Sequence, residues 1–166
     1  RVLTLAVLKG VLGPVLDEPV SFVNAPQLAE ARGLAVRETS SASARDYVNL
    51  LELRGSTSTG TTHVAGTLYG KHDAPRIVAI DDYIVDLPPS SHMLVVRNED
   101  KPGMISRATG IIGSAGINIE ELDLGKGPAG DKPLMVLSTS SAITPEVIAE
   151  LRAADGILDA QAIELA

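Results

Sequence analysis

The chain has 166 residues, which is enough for one medium-sized domain or two small ones. Its net charge of −7 and its four aromatic residues argue against nucleic acid binding, because phosphate backbones need basic surfaces and single strands need aromatic platforms. The lack of cysteine excludes disulfides, thiolate metal sites and a cysteine nucleophile. The sequence contains no recognisable signal peptide and no apolar segment that could span a membrane, so we expect a cytoplasmic protein without membrane partners.

Two helices are predicted at the start of the chain. Apolar residues recur at helical spacing from Leu3 to Val15. A second helix is expected to have Asn24 as its N-cap and Pro26 in its first turn, and to end near Gly33. Because the helical pattern is already present at the first residue and no initiator methionine precedes it, we expect the chain to be part of a longer protein.

An antiparallel sheet is predicted to follow the helices. Short apolar runs alternate with polar segments, among them a hairpin loop over Ser56–Thr62 and a tight turn at Asp81-Asp82. The expected strands cover residues 34–39, 46–54, 63–69, 76–80 and 83–87. Helices followed by an antiparallel sheet form an α+β unit.

The segment Leu87-Pro88-Pro89-Ser90-Ser91 is predicted to link two small domains, because two prolines favour an extended backbone. We therefore assign residues 1–88 to a first domain and residues 91–166 to a second. In the second domain Thr144 is an expected N-cap with Pro145 at the first helical position, and Gly156 ends that helix. Its predicted elements follow the ferredoxin-like βαββαβ order: strand 92–98, helix 103–115, strands 117–125 and 133–140, helix 144–154 and strand 157–165.

The polar corner Asn98-Glu99-Asp100-Lys101-Pro102-Gly103 is the most informative candidate site. The start of a helix presents unpaired N–H groups and the positive end of its dipole, which attract an anion. A nearby aspartate attracts a cation, so the combination suits a zwitterion such as a free amino acid. Two structural alternatives stay open: Asp100 could cap the helix, and Asn118 could satisfy the backbone of a turn.

These residues resemble a known module. The pattern N-x-D-x-P-G, a helix and then Gly116-Ile117-Asn118-Ile119 is similar to that of ACT domains, over 91–166. The preceding residues resemble the intervening, allosteric-substrate-binding domain of long-form bacterial D-3-phosphoglycerate dehydrogenases, through the motifs Phe22-Val23-Asn24-Ala25-Pro26, Gly66-Thr67-Leu68-Tyr69-Gly70 and Asp81-Asp82-Tyr83. Together they imply the C-terminal regulatory half of that enzyme, with the first strand of the intervening domain preceding Arg1.

The resemblance implies that the parent enzyme oxidises 3-phosphoglycerate to 3-phosphohydroxypyruvate with NAD, and that L-serine inhibits it by binding where two ACT domains pair. No catalytic residue and no NAD site is expected in this chain, so it should be inactive alone. The implied effector residues are Asn98, Asp100, the backbone N–H groups around Gly103 and Met104, and Asn118 from the facing subunit of a dimer or tetramer. Asp100 would bind the ammonium group of the ligand, and the N–H groups its carboxylate.

The resemblance also implies an anion site in the intervening domain. Lys71, His72 and Arg76 are its candidates here, while Pro88 and Ser138 occupy two positions where relatives carry basic residues. The run Gly125–Gly130 favours a hairpin loop over a phosphate loop, because no Lys-Ser/Thr pair and no helix follow it. No metal site is expected, because the three histidines are widely separated and the acidic residues near 120 follow a strand edge.

Two further interpretations belong to other functional classes. An iron–sulfur L-serine dehydratase carries a related pair of modules, but its cluster needs cysteines, which this chain lacks. A stand-alone amino-acid sensor would need no catalytic partner. Sequence upstream of Arg1 that carries a dinucleotide-binding fingerprint would favour the dehydrogenase over both.

Overall fold

The computed structural model describes residues 2–41, 47–58, 60–128 and 132–165. The contacts divide the chain into two compact units, Arg1–Ser43 and Ala44–Leu165. The predicted linker at 87–91 lies within the second unit. The division into domains 1–88 and 91–166 therefore stays a prediction.

The first unit is helical. Helix α1 spans Val2–Leu12 and continues into a 3-10 turn at Gly13–Val15, and α2 spans Ala25–Ala31. Both helix predictions are confirmed, although Asn24 at the N-cap makes no capping bond to α2. Its side-chain oxygen instead accepts hydrogen bonds from the backbone N–H and hydroxyl of Ser21, at 2.7 and 2.9 Å.

The strand prediction for residues 34–39 is wrong, because this segment has no regular secondary structure. Leu34 and Val36 supply an alternating apolar pattern, but each is about half exposed. No described strand pairs with the segment. An alternating pattern forms a strand only when a neighbouring strand takes up its backbone hydrogen bonds.

The second unit begins with a four-stranded antiparallel sheet in the order β1-β2-β3-β4. The hairpin loop predicted over Ser56–Thr62 is shorter than expected: Ser56 pairs with Thr61 and Thr57 with Gly60, so the two strands run through it. The strand predicted over 46–54 begins only at Leu51, and residue 46 lies outside the described residues. The four strands are Leu51–Thr57, Gly60–Tyr69, Ala74–Ile80 and Tyr83–Leu87.

The rest of the second unit has the predicted βαββαβ order. Its sheet runs β6-β7-β5-β8 with all neighbours antiparallel, which is the ferredoxin-like arrangement. Thr144 caps α4 as predicted by accepting a hydrogen bond from the Val147 N–H. The elements are β5 His92–Asn98, α3 Met104–Ser114, β6 Ile119–Gly125, β7 Leu134–Thr139, α4 Pro145–Ala153 and β8 Ile157–Glu164.

Both faces of the β5–β8 sheet are covered. Leu94 and Val96 of β5 pack with α3 and α4 in one hydrophobic core. Met93 and Val95 point to the opposite face and pack with β4 in a second core. Because successive strand residues face opposite sides, a strand buried on both faces reads as a continuous apolar run, as β5 does.

The two sheets meet where β4 lies beside the end of β6. Ile84 and Lys126 exchange two backbone hydrogen bonds of 2.9 Å. The Tyr83 ring lies so close to Gly127 that a Cβ atom there would be 2.6 Å from Tyr83 Cε1. The described part of the glycine-rich run thus ends β6 and gives room to an aromatic ring, and the next element is β7 rather than a helix, as the hairpin interpretation predicts.

Candidate functional site

The corner between β5 and α3 leaves the start of the helix uncapped. Gly103 is the N-cap residue, with a left-handed φ of 89°, and no side chain caps the helix. The Arg107 N–H donates to the Gly103 carbonyl at 2.9 Å. The N–H groups of the first turn, which begins at Met104, therefore have no partner within the helix. This is the local geometry that binds an anion.

Asp100 lies exposed on the same corner, three residues before the N-cap. The alternative that Asp100 caps α3 does not hold, because Gly103 occupies the N-cap position without a side-chain bond. Among the described residues the Asp100 carboxylate has no ion pair with any basic group. It is therefore available to a ligand cation.

The other charges of the corner are paired with one another. Lys101 forms an ion pair with Glu99, and its hydrogen bond to that carboxylate raises the pKa of Lys101 above its ordinary value. Arg107 donates to both the backbone carbonyl and the carboxylate of Asp155. With both cations engaged, a ligand carboxylate at this corner would depend on the backbone N–H groups of α3.

Asn98 is a buried polar side chain beside the corner. It is only 4% exposed, and its side-chain amide donates to the Glu99 carbonyl at 2.7 Å. Since a carbonyl oxygen can only accept, the amide nitrogen must face it, and the Oδ1 atom points elsewhere. That oxygen is buried without a hydrogen-bond partner in the described structure. A buried acceptor without a protein partner is unusual, because most buried polar side-chain atoms are hydrogen-bonded.

Met104 and Asn118 occupy different surroundings. The Met104 side chain belongs to the core and fills the space over Gly156, where a Cβ atom would be 2.6 Å from the Met104 sulfur. Only its backbone could serve a ligand. Asn118 is exposed, and its backbone carbonyl accepts from the Ser140 N–H at 3.0 Å. This bond continues the pairing of β6 with β7, and the Asn118 side chain makes no hydrogen bond to another described residue.

The sequence-predicted effector residues are thus only partly brought together in one chain. Asn98, Asp100, Gly103 and Met104 lie on one corner by chain proximity. No described hydrogen bond links Asn118 to any of them. Their joint role stays a prediction that requires a second copy of the chain.

The anion candidates of the first sheet are separated by their contacts. Lys71 and His72 lie exposed in the turn between β2 and β3. Arg76 on β3 is bound by Asp86 on β4, with Nε to Oδ1 at 2.7 Å. This hydrogen bond raises the pKa of Arg76, and the nearby charges of Asp86, Glu121 and Asp123 act in the same direction. An anion at Arg76 would have to compete with carboxylates that are already in place.

A small cavity of 160 Å³ adjoins the Arg76–Asp86 pair and is also lined by Tyr47 and Tyr69.

Within the described ranges no group of three or more His, Asp or Glu side chains is arranged to hold a metal ion. None of the described helices is long and apolar enough to cross a membrane.

Sequence reasoning missed one contact beside the corner. Arg97, which directly precedes Asn98, forms an ion pair with Asp81 in the turn between β3 and β4. The turn itself was predicted, but a contact between residues 16 positions apart on two sheets leaves no periodic signal in the sequence.

Two family models match the chain in tandem. Residues 1–81 match the D-3-phosphoglycerate dehydrogenase intervening domain, and residues 92–156 match the ACT domain. Proteins named D-3-phosphoglycerate dehydrogenase are similar to nearly the whole chain. The one from Archaeoglobus fulgidus is 37% identical over 98% of this chain and 31% of its own length. Those from Synechocystis and Bacillus subtilis are 32% and 31% identical over 98% of this chain, and over 29% and 31% of their own lengths.

This chain spans about 30% of the length of these relatives. Its helices and its two four-stranded antiparallel sheets agree with the α+β fold class expected for the two modules. The chain therefore consists of the intervening domain of the D-3-phosphoglycerate dehydrogenases followed by an ACT domain.

Proposed function

We propose that this chain is the regulatory part of a cytoplasmic D-3-phosphoglycerate dehydrogenase, and that its ACT domain binds L-serine or a similar small amino acid as an effector. The parent enzyme would oxidise 3-phosphoglycerate to 3-phosphohydroxypyruvate with NAD. The tandem family matches and the names of the relatives support this assignment. This chain would hold neither NAD nor catalytic residues and would be inactive alone.

The observation that carries the effector proposal is the unequal pairing of groups at the corner. Lys101 and Arg107 are both engaged by carboxylates, whereas Asp100 and the N–H groups at the start of α3 are not. An α-amino acid presents one ammonium and one carboxylate, which match these two unpaired groups. Hydrogen bonds to charged groups contribute about 1.5–3 kcal/mol each, so a few suffice to hold a small ligand.

A second copy of the chain would complete the site. Asn118 is exposed and its carboxamide is not used in the turn. We propose that Asn118 of the partner subunit closes the pocket over a ligand bound at Asp100. The functional division would then follow residues 1–88 and 91–166, with the second domain forming the interface of a dimer or tetramer.

Isothermal titration calorimetry of the chain with L-serine at millimolar concentration tests this proposal. We expect binding heat, a rise in melting temperature because the ligand binds the native state, and at least a dimer by light scattering. Asp100→Asn should lose the heat while its circular dichroism stays native. Glu150→Gln, which removes an exposed carboxylate on α4, is the matched control and should bind like the wild type. Native protein that gives neither heat nor a thermal shift would refute the effector proposal.

Asn118→Ala tests the subunit arrangement separately. If the ligand is shared between two chains, this variant should weaken L-serine binding although Asp100 is intact. A mixture of Asp100→Asn and Asn118→Ala chains should recover part of the binding. In a heterodimer of the two variants, one of the two sites combines the native Asp100 of one chain with the native Asn118 of the other. Full binding by Asn118→Ala alone would place the site within a single subunit.

An anion site at Lys71, His72 and Arg76 is a second proposal. The ion pair of Arg76 with Asp86 means that a bound anion must displace or share a carboxylate. Titration of the chain with inorganic phosphate should therefore show weak binding that Asp86→Asn strengthens. No heat with either protein would remove the proposal.

The dehydratase and sensor alternatives predict different sequences for the complete protein. A D-3-phosphoglycerate dehydrogenase requires a dinucleotide-binding domain in the same polypeptide, a dehydratase requires a cysteine-ligated cluster, and a sensor requires neither. The sequence of the complete gene separates the three, and the dehydrogenase activity of its product tests the first.

A further inference from the structure

We propose that the first sheet supplies a positioning residue to the effector corner: Asp81 holds the end of β5 through Arg97, so that effector affinity depends on the intervening domain. This inference rests on the proposed effector function and goes beyond it, because it names a residue outside the ACT domain that regulates the ACT site.

Arg97 and Asn98 are consecutive residues at the end of β5, so their side chains leave the strand in different directions. Asn98 is enclosed beside the corner, while the Arg97 guanidinium reaches the turn between β3 and β4. There it forms an ion pair with Asp81 and lies over the Tyr83 ring, with 5.4 Å between the guanidinium carbon and the ring centre. Both charged side chains are about one-third exposed, so solvent screens the pair only partly.

Asp81 is itself firmly held. Its φ of 51° places it in the left-handed region, which aspartate tolerates better than most residues. Its Oδ1 atom accepts from the His63 N–H at 3.1 Å, and its carbonyl lies 2.9 Å from Nδ1 of the His63 ring. Its own N–H donates to the His63 carbonyl at 2.6 Å. The carboxylate that binds Arg97 is therefore fixed to β2 as well as to the turn.

Hydrogen bonds through the loop before β7 also connect the turn between β3 and β4 to the end of β5. The Tyr83 hydroxyl donates to the Lys132 carbonyl at 2.6 Å, and the Asn98 N–H donates to the neighbouring carbonyl of Pro133 at 3.2 Å. The contacts form a closed ring from Arg97 through Asp81 and Tyr83 to the loop before β7 and back to Asn98. A displacement at the end of β5 must therefore be shared by the turn of the first sheet.

Among the described residues, Asp81 is the ion-pair partner of Arg97, and the residues opposite Arg97 on the neighbouring strands do not replace it. The residue opposite Arg97 on β8 is Asp159, but its carboxylate accepts from the Arg152 guanidinium at 3.2 Å. The residue opposite on β7 is the apolar Leu134. Replacing the Asp81 charge should thus free the Arg97 side chain and loosen the strand end that carries the effector corner.

The test is a double-mutant cycle measured on the dissociation constant for L-serine. Asp81→Asn keeps a side chain that tolerates positive φ and can still accept from His63, and it removes only the charge. Arg97→Gln removes the opposite charge. We expect each single variant to weaken L-serine binding at least about fivefold, and the double variant to bind no more weakly than either single one. Arg97→Lys should recover part of the affinity because it restores the charge.

Glu18→Gln is the matched control, because it breaks an Arg–carboxylate pair of the helical unit, Arg32–Glu18, and should leave the affinity unchanged. Wild-type affinity in Asp81→Asn and Arg97→Gln, or losses that simply multiply in the double variant, would overturn the inference while leaving the effector site intact. Wild-type protein that binds no L-serine would overturn the proposed function instead. If Asp81→Asn does not fold, the comparison of Arg97→Gln with Arg97→Lys decides: equal losses in both overturn the inference.

Discussion

Gly127→Ala should destabilise the junction between the two sheets, although it adds only one methyl group to an exposed residue. A Cβ atom at Gly127 would lie 2.6 Å from Tyr83 Cε1 and 2.8 Å from Cδ1, well inside van der Waals contact. The ring has little freedom to move away. Its hydroxyl is bonded to the Lys132 carbonyl and Arg97 covers one of its faces.

The expected loss is about 1–3 kcal/mol of unfolding free energy, the usual cost of forcing one extra carbon into a packed site. Gly113→Ala is the matched control, since a Cβ atom there meets nothing within 4 Å and lies within α3. It should stabilise the chain by about 0.5–1 kcal/mol, because alanine loses less backbone entropy than glycine in a helix.

Urea unfolding at 25 °C, followed by circular dichroism, measures both variants. In a Tyr83→Leu background the Gly127→Ala penalty should largely disappear, because leucine lacks the rigid ring whose Cε1 and Cζ atoms the new Cβ atom meets. If Gly127→Ala is as stable as the wild type, or if its penalty persists without the ring, the packing account of the glycine-rich run is wrong.

Three further outcomes are expected. Leu137→Ala, in the fully buried middle of β7, should lose about 2–5 kcal/mol of unfolding free energy in the same assay. Tyr83→Phe should lose about 1 kcal/mol with the bond to the Lys132 carbonyl. The hydrogen bond from Thr144 lowers the pKa of Glu146 below 4.5, so Glu146→Gln should lower the melting temperature at neutral pH. That difference should shrink as the pH falls below 4.5, where the unfolded carboxylate is protonated first, and should vanish once the pH is below the lowered pKa of the folded carboxylate; a difference that persists there would contradict the assignment.

Much of the second domain could be predicted because its signals are local. Thr144 followed by Pro145 marks the start of a helix. The prolines at 88 and 89 separate the predicted antiparallel strands before them from the βαββαβ order after them. The corner that we propose as the effector site was predicted in the same way, since Asp100 and Gly103 lie within a few residues of one another. Such features depend on the chemistry of neighbouring residues and need no knowledge of the rest of the fold.

The features that escaped prediction depend on partners distant in sequence. Residues 34–39 alternate like a strand, yet among the described residues no strand pairs with them. Asn24 has the right type and position for a capping bond, but Ser21 competes for its oxygen. The Asp81–Arg97 pair arises only because β4 packs on the outer face of β5, which the apolar run of β5 permits but does not specify.

The most direct test of the effector site is a crystal structure of this chain grown with L-serine. Our account predicts serine between two ACT domains, with its ammonium on Asp100, its carboxylate at the N–H groups of Gly103 and Met104, and Asn118 of the partner subunit in contact with it. Serine bound elsewhere in the fold, or a dimer in which the Asp100 corner faces solvent without a ligand, would contradict that account.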